Sequence, residues 1–257
     1  MILIDTHTHL YSEEFDSDRF DVVKRALDQK VDKLLLPNID SSSIQALLKL
    51  ESDFPNHCYA MMGLHPCSVK ENYEEELAVI ESWLTKRKFT AIGEIGLDYH
   101  WDKTFIDQQK IAFVTQINFA KKYSLPIVIH QRESFDDLYE ILQQMNDKLL
   151  KGIFHCFNGT VEQANKIIEL GGFKLGIGGV VTYKNSILPE VLSHIDLQFL
   201  VLETDSPYLP PTPYRGKRNE SSYITFVAEK LANIKKCSVE EIANTTTENA
   251  KKIFDLA

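Results

Sequence analysis

Six residues of types that bind metal ions stand at or just beyond short apolar runs in this chain. Ile2-Leu3-Ile4 leads through Asp5-Thr6 to His7 and His9. Thr90-Ala91-Ile92-Gly93 leads to Glu94, Pro126-Ile127-Val128-Ile129 to His130, and Gly152-Ile153-Phe154 to His155. Phe199-Leu200-Val201-Leu202 leads to Glu203-Thr204-Asp205. Side chains two apart on a strand point to the same side, so His7 and His9 can face one ion. A single catalytic zinc takes three protein ligands and keeps a position open. Four imidazoles and two carboxylates exceed that, and suit two divalent ions sharing a bridging carboxylate. Glu94, from the middle of the strand order, is the natural bridge, with His7, His9 and Asp205 on one side and His130 and His155 on the other. Two neighbouring ions clamp a phosphoryl oxygen and ionise water, which points to metal-assisted hydrolysis. Glu94 and Asp205 are then catalytic candidates as well as ligands. Glu203, two before Asp205 and sharing its side, is a candidate for handling a proton or orienting a ligand.

Elements that could position these groups follow from the pattern. Strands are expected near residues 2–5, 31–36, 58–62, 89–94, 126–129, 152–155, 173–177 and 199–202. Unbroken apolar runs of this length fit strands buried on both faces, as in a parallel sheet. Helical patterns separate them: Phe20 to Gln29, Ser41 to Leu50 with a serine run suited to an N-cap, Tyr73 to Lys86, Ile106 to Tyr123, Phe135 to Leu142, Val161 to Leu170, Leu188 to Ser193, Ile224 to Asn233 and Val239 to Phe254. Eight strands alternating with helices imply a (β/α)₈ barrel of the TIM type. Its chemistry would lie at the C-terminal ends of the strands, where the polar residues stand. Cys156 follows His155 and, by strand alternation, should point away from the site.

Composition sets the bounds. The 257 residues suit one barrel domain, 1–257, and no linker, repeat or low-complexity tract divides them. No apolar stretch approaches a membrane span and the N-terminus begins a strand, so a cytoplasmic protein without membrane or obligate protein partner is expected. The four cysteines, Cys58, Cys67, Cys156 and Cys237, form no CxxC pair, which argues against a disulfide framework or a thiolate zinc site. A net charge of −9 excludes broad electrostatic coating of nucleic acid but not a nuclease with local contacts.

Asp5-Thr6-His7-Thr8-His9-Leu10, Gly93-Glu94-Ile95-Gly96-Leu97-Asp98, Pro126-Ile127-Val128-Ile129-His130-Gln131-Arg132, His155-Cys156-Phe157 and Leu202-Glu203-Thr204-Asp205-Ser206-Pro207 together resemble the motifs of the TatD family, metal-dependent deoxyribonucleases on a TIM barrel. The resemblance runs in order along essentially the whole chain. It implies a two-metal site supported by magnesium or by manganese, zinc, nickel or cobalt, ligand roles for His7, His9, Glu94, His130, His155 and Asp205, and 3′–5′ exonuclease action on DNA, single-stranded or at 3′ ends. Three positions depart from the family pattern, Tyr11, Ser134 and Ser221, and none is a proposed ligand.

Substrate-facing candidates complete the reading. His65, ending the third strand before Pro66, looks substrate-facing rather than metal-binding. Arg132 lies two beyond His130, points the same way and is a candidate for a phosphate contact. Tyr214-Arg215-Gly216-Lys217-Arg218-Asn219-Glu220 also resembles a family segment, and its Arg215 and Arg218 could meet substrate phosphates. The alternatives are a two-metal hydrolase of amides or esters such as aminoacyl-tRNA, and a non-catalytic metal-binding protein. Related amidohydrolases often bridge their metals with a modified lysine ending the fourth strand, where this chain has Glu94. A complete ligand set counts against a dead site.

Overall fold

A computed structural model describes residues 1–147 and 149–257. The strands are β1 (Leu3–Asp5), β2 (Val31–Leu36), β3 (Cys58–Ala60), β4 (Ile92–Asp98), β5 (Ile127–Arg132), β6 (Gly152–Phe154), β7 (Phe173–Ile177) and β8 (Leu200–Leu202). The helices are α1 (Arg19–Asp28), α2 (Ile44–Asp53), α3 (Tyr73–Lys86), α4 (Ile106–Tyr123), α5 (Phe135–Met145), α6 (Val161–Glu169), α7 (Leu188–Ser193), α8 (Ile224–Lys235) and α9 (Val239–Phe254). All strand pairs are parallel, β1-β2-β3 in one run and β4 to β8 in another. Two short seams join the runs into a barrel. Met62 bridges to Ile92 between β3 and β4, and Thr8 bridges to Ser206 between the ends of β1 and β8.

The second seam is stitched closely. Thr6 N donates to Leu202 O at 3.0 Å, Asp205 N to His7 O at 2.9 Å and His9 N to Ser206 O at 2.7 Å. Asp5 ties it from the side, accepting from Thr204 N at 2.9 Å and Thr204 Oγ1 at 2.6 Å. The seam is also where His7, His9 and Asp205 stand, so closing the barrel assembles half of the candidate ligands.

Alternation along the strands separates two cores. Leu3, Leu34, Leu36 and Ile129 face outward beneath the helices, whereas Ile4, Leu35, Met61, Val128, Ile153 and Val201 fill the barrel interior. Ala250, Ile253 and Phe254 of α9 pack into that same inner cluster and stop the N-terminal end of the barrel. Helix ends follow local rules. Thr160 and Gln163 form a reciprocal capping box on α6, and Ser238 caps α9 through Glu241 N. Among the described residues no helix is long and apolar enough to cross a membrane.

β5 runs on to Arg132, beyond the expected 126–129, and α5 on to Met145; two further elements differ in how they are built. The serine run does not cap a helix at residue 41. Ser43 Oγ instead turns back to accept from Ile39 N and Asp40 N, Ser41 is held by Glu76, and α2 begins at Ile44. The fourth strand is shifted forward, to Ile92–Asp98 instead of 89–94. A register irregularity between Ile92 and Ile95 lets Ile95 and Leu97 continue outward while Glu94 turns to the barrel mouth. Gly96 makes the continuation possible. Its φ is +144°, and a Cβ there would collide with the His130 carbonyl oxygen.

Two substitutions separate the roles of the barrel's ends. Phe254→Ala, in the inner core, should cost about 3–5 kcal/mol and lower Tm with metal affinity retained. Gly96→Ala should lower both, because the strained Cβ displaces the β5 backbone at His130. Thermal denaturation beside a metal titration reads both, and a Gly96→Ala protein of wild-type affinity contradicts the assignment.

Candidate metal centre

Glu94 lies at the middle of the barrel mouth, 2% exposed. Its two carboxylate oxygens face different imidazoles. Oε2 is 3.1 Å from His7 Nε2 and 3.7 Å from His9 Nε2. Oε1 is 2.8 Å from His130 Nδ1, 3.3 Å from His65 Nε2 and 3.4 Å from His155 Nε2. Asp205 completes the first group, with Oδ1 3.8 Å from His7 Nε2 and 3.6 Å from His9 Nε2. Asp205 itself sits at φ 58°, a left-handed conformation that aspartate tolerates. The structure thus gathers the other five ligands expected from the sequence around Glu94.

Hydrogen bonds behind the imidazoles fix which nitrogen offers a lone pair. Tyr11 OH donates to Pro37 O at 2.6 Å, so its oxygen accepts from His9 Nδ1 at 2.9 Å and leaves His9 Nε2 bare. Asp98 Oδ2 accepts from His130 Nε2 at 2.8 Å and leaves Nδ1 bare. Glu203 Oε1 lies 3.1 Å from His155 Nδ1, an ion-pair contact, and accepts from Cys156 N at 2.6 Å. Gly176 makes room for Glu203, since a Cβ there would collide with Oε2.

His65 is wired the opposite way. Its Nδ1 accepts from Cys67 N at 3.0 Å, so the neutral ring carries its proton on Nε2, the atom facing Glu94. Although His65 Nε2 lies within the donor cluster formed with Glu94 and His130, it offers an N–H rather than a lone pair. That accords with a substrate-facing residue.

The charge states suit a cation. Burial pushes the Glu94 carboxyl up, but His65, His7, His155 and the hydrogen-bonded His130 more than reverse this and hold it well below the usual range. Asp205 is likewise ionised, its burial outweighed by His155, His9 and His7. Burial pushes His7 down, with His155 adding to the effect, and burial does the same to His65. His155 behaves differently. Burial lowers it, yet Glu203, Glu94 and Asp205 raise it to about 10, so in the protein alone a proton there balances the carboxylates. Two ionised carboxylates among imidazole nitrogens, with no Lys or Arg ion-paired to either among the described residues, are a donor set that fits divalent metal ions.

The expected arginines are placed less uniformly. Arg132 stands at the rim, exposed, with its guanidinium carbon 5.1 Å from the Trp101 ring centroid. Arg215 lies 4.0 Å over the Tyr183 ring. Arg218 is held by Asp18 through two hydrogen bonds of 2.8 and 2.7 Å and covers Phe15, so its charge is already engaged away from the metal donors.

Cys156 does not point away as alternation suggested. β6 ends at Phe154 and Cys156 has φ 48°, which returns its sulfur to within reach of His155 and Asp205. Burial, with Asp205 and Glu203 next in effect, pushes its thiol well up, so it packs there as a neutral group. The residues the sequence reading passed over are Tyr11 and Asp98. Tyr11 stands two beyond His9, and Asp98 lies in the quoted strand motif, but their roles depend on what their partners' far nitrogens need.

The profile of the TatD related DNase family matches residues 4–255. A metal-dependent hydrolase of Bacillus subtilis, YabD, is 42% identical over 254 residues, covering 98% of this chain and 99% of that protein. The crystal structure of YjjV, a TatD homologue from Escherichia coli, superposes with a TM-score of 0.93 at 30% identity, covering 99% of this chain and 98% of that one. A TatD family hydrolase of Entamoeba histolytica superposes with a TM-score of 0.86 at 24% identity, covering 99% and 98%. With its fold, its Glu94-centred cluster and a profile match over nearly its whole length, the chain belongs to the family of TatD related DNases.

Proposed function

We propose that this TatD-type metal-dependent hydrolase is a deoxyribonuclease that cleaves phosphodiester bonds at 3′ ends, with two divalent ions held on either side of Glu94. The observation that carries the reading is the division of the Glu94 oxygens between two groups of imidazoles. His7, His9 and Asp205 would hold one ion, and His130 and His155 the other, with Glu94 shared. Bound there, divalent ions supply Lewis-acid polarisation of the phosphoryl group and a lowered pKa for water.

The protein's own groups do the rest. Asp205, ionised and partly open to solvent, takes the proton of the attacking water. His65 Nε2–H donates to a phosphoryl oxygen, where negative charge grows in the transition state. Arg132, exposed beside His130, holds a neighbouring phosphate. Glu203, Asp98 and Tyr11 touch no substrate and keep the imidazoles in register.

Metal loading tests the site directly. Chelated protein should take up close to two Mn²⁺ or Zn²⁺ per chain. His130→Ala should reduce that to about one. The imidazole-rich donor set favours a transition metal over magnesium, which prefers oxygen ligands. Purified protein should therefore retain a transition metal while added magnesium fills the weaker position. A saturating stoichiometry of one, unchanged in His130→Ala, would refute the binuclear arrangement.

Tyr11→Phe removes only the hydroxyl that fixes His9. It should weaken metal binding by about 10–100-fold, the usual effect of losing such a partner. A titration with wild-type affinity would mean that His9 needs no such support.

Kinetics separate chemistry from holding. Glu94→Ala and Asp205→Ala should lower kcat on labelled oligonucleotides by about 10²–10⁴-fold. Arg132→Ala should instead raise KM and reduce the slope of log affinity against log salt by about one. Wild-type turnover by Asp205→Ala contradicts its role as proton acceptor. Hydrolysis of an aminoacyl ester in preference to any oligonucleotide contradicts the nuclease reading.

A further inference from the structure

We propose that Trp101 is a stacking platform for a nucleobase beside the scissile bond. The proposal rests on the nuclease reading above and names a residue that would hold a base.

Trp101 is 69% exposed, the largest aromatic side chain left so open. Its backbone is nevertheless fixed. Asp98, the last residue of β4, accepts from His100 N at 2.9 Å and Trp101 N at 3.0 Å through Oδ1. The same carboxylate faces His130 Nε2 through Oδ2 at 2.8 Å. One side chain thus orients a metal donor and presents the indole at the rim beside it.

The ring is supported as well. The Arg132 guanidinium carbon is 5.1 Å from its centroid, a cation–π arrangement, and His100 meets it edge-on with centroids 5.0 Å apart. His100 is in turn held by Glu133 Oε1 at 2.7 Å. The indole is backed by a charge that can also reach a phosphate, and more than half its surface is free. Phosphate and base are adjacent in a nucleotide, as Arg132 and Trp101 are here.

Net charge strengthens the argument. A chain at −9 gains little from long-range attraction to a polyanion. Stacking does not depend on charge and accepts any base, because every base has a π-face.

Two oligonucleotides of one sequence, with and without a base at the terminal nucleotide, test this with Mn²⁺-loaded enzyme. The wild-type KM should be about tenfold lower for the strand that keeps its base. Trp101→Ala should bring the two KM values within about twofold, while Trp101→Phe keeps most of the difference. In a Trp83→Phe background, the base-bearing strand should quench the remaining indole fluorescence of metal-free protein, and the abasic strand should quench it less. Equal effects of Trp101→Ala on both strands, or no wild-type discrimination, overturn the platform and leave the nuclease reading intact. Failure of the wild type to bind or cleave either strand overturns both.

Discussion

Everything at the barrel mouth answers to one constraint: an ionised carboxylate, Glu94, held almost entirely out of water. Desolvating a lone carboxylate costs far more than a small protein's stability margin, so such a group must meet positive charge or donated hydrogens. Here the histidines are its only ion-pair partners among the described residues. They arrive from four places in the chain, and parallel barrel topology alone brings those places together. The irregularity in β4 turns Glu94 inward, Gly96 lets β5 approach, and the seam between β1 and β8 sets His7 and His9 opposite Asp205.

Proton placement then sorts chemically identical side chains into different roles. His9 and His130 each have an oxygen acceptor behind the ring, from Tyr11 and Asp98. A lone pair is left toward the centre. His65 has a backbone N–H behind it and so turns a hydrogen toward the centre. Metal coordination needs the first arrangement and stabilisation of an oxyanion needs the second. Exchanging the partners would exchange the functions without altering any of the imidazoles.

The candidate ligands are plain in the sequence and their support is not. His7, Glu94, His130, His155 and Asp205 end or follow apolar runs, and in a parallel sheet that pattern alone locates the mouth. α3, α4, α7 and α9 begin and end at the expected residues because their apolar periodicity is uninterrupted. β4 was placed too early because a register irregularity breaks the period that reveals a strand. The Ser41 run suggested a cap, but Asn38, Asp40 and Glu76 compete for those hydroxyls from outside the helix. Cys156 escaped alternation through one left-handed residue. Arg218 looked free in a basic segment, and its partner Asp18 lies 200 positions away. Tyr11 and Asp98 were overlooked for a similar reason. A residue that acts through another's hidden nitrogen leaves no periodic mark.

The acidity of the chain and the polyanionic substrate proposed for it are reconciled by scale. Exposed charges more than about 10 Å apart are largely screened at ordinary ionic strength, so the net −9 acts weakly on a distant strand. Near the mouth, Glu94, Asp205 and Glu203 would repel a phosphate strongly if left uncompensated. The protein supplies few fixed cations there, since Arg218 is engaged by Asp18 and Arg25 by Glu220. Attraction at the centre must therefore come from bound metal and from the N–H of His65, with Arg132 at the rim. An enzyme built this way depends on its metal for substrate affinity as well as for turnover. Stacking on Trp101, as proposed, would add to His65 and Arg132 a hold on the strand that needs no metal.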